Sequence, residues 1–373
     1  MKHLIVTPVA VLFGLFCGTS LSAQNTLIFV GTTNGHEIES VALVELDEKK
    51  GTLKILRKLK AGKRPGYLAL NENILYAVST DSMGTDQHTL RAFKVLNEGE
   101  ELEEIGEVSS MGLNPCHIAV GRDGKSLFTA NYTSGSIAQY AIKPNGGLGG
   151  NQYFEQFTGN SVNQKRQSSP HAHYINTTID NQFVLTADLG TDKVMIHRFD
   201  GQGKMQTHQS QPYIELPPGS GPRHLEFHPN NKWLYVLNEM NSTLASVLYE
   251  KGTFKVIDII STLPDNFQGE SSAAAVRIHP SGKYIYSSNR GSNSISVFEI
   301  DDNGKVKMIQ NFGTHLGIVR DFNISPSGKF LVAGNQNSDE VVLLKLDQSG
   351  LIKKYISSVE LPSPSCLVFY DGK

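Results

Sequence analysis

The side chains with most chemical capacity fall at recurring places along this chain. Arg223 and Glu239 bracket the stretch GSGPRHLEFHPNNKWLYVLNE, residues 219–239. A carboxylate can take a proton from water, and a guanidinium can bind an anion or stabilise a developing oxyanion. His171 and His173, in PHAHY, offer an imidazole for the same proton transfer. Arg290, Arg320 and Arg277 add cations, and Tyr132 and Asn238 add neutral donors that could contact a ligand. Together these groups suit water activation beside an anion-binding cluster.

Something must bring them together. Residues 223–227 and 233–239 read as two β-strands, rich in β-branched and aromatic residues, around a HPNNK turn. A turn centred on Asn230 and Asn231 places Arg223 opposite Asn238, with Glu239 one residue further. Both polar ends then share one rim of the hairpin. His224 alternates away from Arg223 in this register, and Glu226 faces solvent or a neighbouring sheet.

The hairpin recurs. PCHIAVGRDGKSLFTANY, PHAHYINTTIDNQFVLTADL, AAAVRIHPSGKYIYSSNR and VRDFNISPSGKFLVAGNQ have the same form. Their second strands end at Asn131, Asp188, Asn238, Asn289 and Asn335, at spacings of 57, 50, 51 and 46. Two earlier units, ending near Ser79 and Thr32, bring the total to seven. Each continues through a turn into two more strands. Four antiparallel strands repeated about every 50 residues predict an all-β, seven-bladed β-propeller. The first unit lacks its leading strand, and PSCLVFYDGK at the C-terminus supplies it, which closes the ring and removes an exposed sheet edge. Two packed β-sandwiches are the competing architecture, and seven-fold spacing argues against them.

In a propeller the first strand of each blade lines the central channel. The position of Arg223 is taken in other blades by Cys116, His173, Ala274, Arg320 and Cys366, and that of Glu239 by Tyr132, Leu189, Arg290 and Gln336. The charged members are expected to be solvated at one mouth, since burying them unpaired is costly. Asn131, Asp188, Asn289 and Asn335 read as turn-capping scaffold, as do Asp192 and Asp339. Asn238 shares that recurring position. Arg277, deeper along its strand, could pair with Glu239 or contact ligand. The repeat favours His173 over His171. The two could also bind a metal from one strand face, a weak signal without nearby carboxylates. Cys116 and Cys366, separated by one blade, are expected as free thiols. His117 points to the face opposite Cys116, which makes that pair a poor nucleophilic dyad. His228 and His279 lie in turns at the other end.

The bulk of the chain sets bounds. It has 373 residues, 39% hydrophobic and 19% charged, with formal net charge −2 and no long basic run, which argues against a nucleic-acid-binding face. Lys2, the apolar run Leu4 to Phe16 and the small residues TSLSA read as a secretory signal peptide spanning 1–23. The mature chain, 24–373, is expected to be a single exported domain, periplasmic or extracellular, with no stable membrane insertion.

The hairpin motifs resemble the lactonase family of seven-bladed propellers, which includes propeller-type 6-phosphogluconolactonases and fungal carboxy-cis,cis-muconate lactonizing enzymes. SSPHAHY with TADLGTDKV, GPRH…YVLNE, and AAAVRIHPSGKYIYSSNR carry the likeness over nearly all the mature chain. The resemblance implies a channel histidine at His173 (or His171), Arg223, Glu239, and a further arginine at Arg290 or Arg320, with no metal and no organic cofactor. It implies hydrolysis of a sugar-type or anionic lactone, with Glu239 or His173 as general base. A muconate-type cyclase or lyase and a non-catalytic binding propeller are the other readings. Phosphogluconolactone belongs to cytoplasmic sugar metabolism, so an exported relative is expected to meet another lactone.

Overall fold

The computed structural model describes residues 25–33, 39–80, 88–199 and 203–372. The expected leader at 1–23, with Cys17, lies outside them. The described chain forms seven antiparallel sheets, six of four strands and one whose outer edge is split between Met205–Thr207 and Tyr213–Glu215. Within each sheet the strands follow chain order except at the seam. There Pro364–Tyr370 pairs with Thr26–Thr32, so the last strand completes the first blade. The innermost strands pack one against the next around a closed circle. The chain is a seven-bladed β-propeller.

Local chemistry explains the repeat. The tight turn between the first two strands of a blade needs a residue of positive φ, supplied by Gly124, Asn181, Asn231, Gly282 and Gly328 in turn. His228 and His279, in these turns, bond the carbonyls of Gly282 and Gly328 at 2.8 and 2.9 Å, stitching each blade to the next at the far end. Both are scaffold, as expected. The apolar faces of neighbouring blades meet in seven buried clusters, one per interface, including that between the last and first blades. Burial against both neighbours is why the middle strands read as continuous apolar runs such as Phe330–Asn335. Among the described residues no helix is long and apolar enough to cross a membrane.

Asparagines closing the second strands hold this frame. Asn131, Asn289 and Asn335 each donate a side-chain N–H to a carbonyl of the preceding inter-blade loop, at Ser110, Thr262 and His315. Asn238 is fully buried and donates to Thr243 Oγ1 at 2.9 Å. It belongs to the scaffold and not among ligand contacts.

Candidate active site

One local feature corrects the register read from sequence. Pro222, not Arg223, opposes Asn238, and pairing resumes with His224 opposite Leu237. Arg223 is the extra residue of a β-bulge. The same irregularity falls at Cys116, His173, Arg320 and Ser365, and across Ala274–Ala275, so six of seven inner strands carry it. A bulge breaks strict side-chain alternation and re-aims the residues around it. His224 therefore does not turn away from Arg223, whose Nη1 donates to His224 Nε2 at 3.1 Å. At the seam the bulge falls on Ser365. Ser365, not Cys366, is the equivalent of Arg320, and Cys366 lies one residue deeper.

The mouth is built around Glu239. Its Oε2 accepts from Arg223 Nε at 2.9 Å and lies 3.0 Å from Arg290 Nη2, while its Oε1 accepts from Arg166 Nη2 at 2.7 Å. Arg223 and Glu239 are buried, 2% and 6% exposed at their side chains. The expectation that these groups are solvated is thus corrected: they are desolvated and neutralise one another. Burial alone would raise the Glu239 carboxyl, but the charges of Arg290 and Arg223, and then His173 and the Arg166 bond, hold it far below the carboxylate range. A carboxylate so clamped is a poor proton acceptor. Burial and the Arg290 charge pull Arg223 below its ordinary value, yet a guanidinium stays protonated at neutral pH.

Arg166 gave no signal in the repeat, because it sits on the irregular connection between the third and fourth blades. Besides Glu239 it bonds Tyr132 Oη at 3.1 Å. The Tyr132 ring stacks on His171 at 4.5 Å, and His171 Nδ1 donates to the Tyr132 carbonyl at 2.9 Å. Because a carbonyl can only accept, that bond puts a proton on His171 Nδ1. His173 lies deeper, 6% exposed, with its ring edge-on to Tyr132 at 5.5 Å and no partner for Nδ1 among the described residues. Burial, then the Arg223 charge, depresses its pKa well below 6.5 and keeps the imidazole neutral. Arg320 is part-buried at the same level, and its side chain has no ion pair or hydrogen bond among the described residues. Its pKa is lowered by burial and by Arg290.

Below the rim, Tyr67, His117, Tyr174 and His224 form a packed ring cluster, with His117 centroids 4.1 and 4.2 Å from Tyr67 and Tyr174. Arg277 pairs with Asp321 at 2.7 Å and not with Glu239. Glu226, expected in solvent or between blades, is desolvated beside Arg277 and pushed up to about 7 by burial. Cys116 and Cys366 are free thiols. Burial pushes Cys116 up to about 12, so no thiolate is available for attack at neutral pH. Among the described residues no three His, Cys, Asp or Glu side chains are grouped to hold a metal ion.

Comparison with known proteins agrees with this geometry. The seven-bladed β-propeller lactonase family model matches residues 27–369. The 6-phosphogluconolactonase of Bacillus subtilis is 30% identical over 299 residues, covering 79% of this chain and 83% of that one. An uncharacterized protein of Lactococcus lactis is 34% identical over 302 residues, covering 80% and 85%. The structure of a periplasmic gluconolactonase from Pseudomonas aeruginosa superposes with TM-score 0.87 at 27% identity, covering 94% of this chain and 100% of that one. The fold, the family match and these relatives thus define a propeller enzyme of the lactone-opening class. The chain belongs to the seven-bladed β-propeller lactonase family.

Proposed function

We propose that the protein hydrolyses a lactone bearing an anionic substituent, and that it does so at the mouth holding Arg166, Arg223, Arg290, Arg320 and Glu239. The observation that carries this reading is the charge balance. Four guanidiniums gather around one carboxylate, and the Arg320 side chain has no partner among the described residues. An incoming carboxylate or phosphate would supply the missing anion through charge-assisted hydrogen bonds.

The neutral His173 imidazole is the proposed base. It takes a proton as water attacks the acyl carbon, and the carbonyl oxygen becomes an oxyanion stabilised by guanidinium donors. Collapse breaks the ring C–O bond, and the imidazolium returns its proton to the leaving alkoxide, giving a hydroxy acid. The nearby Glu239 charge favours the transient imidazolium. The leader expected at 1–23, together with the likeness to a periplasmic gluconolactonase, supports export and an extracytoplasmic lactone. A pH-stat panel of sugar-type and acidic lactones tests the reading, since each ring opened releases one proton. Tight binding with no proton release from any of them, or ring closure of a muconate as the sole reaction, sinks it.

A further inference from the structure

Asp192 lies in the turn after the second strand of the fourth blade, 3% exposed, at φ +57. The equivalent turn position is filled by Gly135, Ser242, Asn293 and Asp339, all with positive φ. The turn itself therefore needs no carboxylate. Asp192 nonetheless spends every acceptor site of its carboxylate on two separate loops. Oδ1 accepts from Gln167 Nε2 at 2.8 Å and from Gly221 N at 2.6 Å. Oδ2 accepts from Ser161 Oγ and from Gly219 N at 2.7 Å.

Each loop carries part of the mouth. Gln167 follows Arg166, and both backbone N–H groups are held by the Asn163 carbonyl at 2.6 and 3.1 Å. Gly221 precedes Pro222 and Arg223, and its carbonyl accepts from Glu239 N at 2.7 Å. The two loops meet again where Arg166 reaches Glu239. Asp192, Gln167, Arg166, Glu239 and Gly221 thus form one closed circuit of bonds and short chain segments.

We propose that Asp192 is a positioning residue for the lactonase reaction, fixing Arg166 against Glu239 by tying the 161–167 loop to the 219–221 loop. This rests on the proposed reading of the site. In Asp192→Asn one oxygen becomes an NH2 group facing at least one backbone N–H, that of Gly219 or Gly221, so a bond to the 219–221 loop is replaced by a donor–donor contact.

The test measures kcat/KM on an opened lactone, with amide hydrogen exchange read beside it. Asp192→Asn is expected to lower kcat/KM by 10- to 100-fold in the native background and by less than threefold once Arg166→Ala is present. It is also expected to speed exchange in 161–167 and 219–221 together, whereas Gln167→Ala speeds it in 161–167 alone and still lowers kcat/KM. Equal losses in both Arg166 backgrounds, or loosening of only one loop by Asp192→Asn, overturn the proposal. If Asp192→Asn does not fold, Gln167→Ala decides: no loss of kcat/KM, or a loss that persists undiminished with Arg166→Ala, overturns it. If the native protein opens no lactone, the functional reading fails, and the exchange pattern alone judges whether Asp192 couples the loops.

Discussion

Replacing Glu239 by Gln removes the single negative charge that three guanidiniums share. The shape is kept, so the loss is electrostatic. Arg166 is 45% exposed at its side chain and can be rehydrated, and Arg290 is 18% exposed, but Arg223 at 2% cannot. The cost is therefore dominated by one stranded buried cation, roughly 3–5 kcal/mol. For a domain of this size that corresponds to a fall in Tm of roughly 4–7 °C. Turnover should fall as well, because the freed guanidiniums no longer converge. Thermal melts of Glu239→Gln, Arg223→Met and the double variant form a cycle. Removing both charges should restore part of the stability lost by Glu239→Gln, since a neutral pair leaves no stranded charge. A Glu239→Gln protein melting within about 2 °C of the native protein, or a double variant showing the plain sum of both losses, would falsify the account of the clamp.

Other expectations follow from the same geometry. His173→Asn should lower kcat by about 10²–10⁴-fold, the usual worth of a general base, and His171→Asn by much less, as steady-state kinetics will show. Because the His173 pKa is depressed, the rate should stay level through neutral pH and fall only well below 6.5. Arg320→Ala breaks no bond, so Tm should hold while KM for an anionic lactone rises about 10- to 100-fold, the range of a hydrogen bond to a charged group. Acid stability gives a third check. His117, His173 and His224 all have pKa values pushed well below 6.5 by burial, so the unfolded chain binds protons that the native protein does not. Their contribution is present above pH 6.5 and is lost as pH falls below it. Glu226, raised to about 7, runs the other way: between pH 4.5 and 7 the native protein keeps its proton. Three histidines outweigh one carboxyl, so denaturant titrations should show stability falling on acidification below pH 6.5.

The repeat made the propeller legible, because turn residues of positive φ and the closing Asn or Asp recur at fixed offsets. The seam strand was visible for the same reason: the first unit lacked a partner and the C-terminus had one to give. Arg223 and Glu239 stood out by breaking the repeat. Three features stayed hidden. The bulge at Arg223 leaves the composition of the strand unchanged and shifts only the pairing, so strict alternation misassigned His224, while repeat spacing alone placed Cys366 one residue off. Arg166 rides on an irregular loop with no counterpart in other blades. Asp192 looks like any turn residue, since its neighbours in space are 25 to 31 residues away in sequence. Glu239 was picked out by its place in the repeat, yet the three guanidiniums that meet it are displayed by no pattern of residues.

The most direct test of the central claim compares matched lactones that differ only in an anionic substituent, by pH-stat at fixed ionic strength. The account predicts that the native protein opens the anionic member with kcat/KM about 10- to 100-fold above the neutral one, and that Arg320→Ala erases most of the difference. Equal turnover of the pair by the native protein, or a preference untouched by Arg320→Ala, would contradict it.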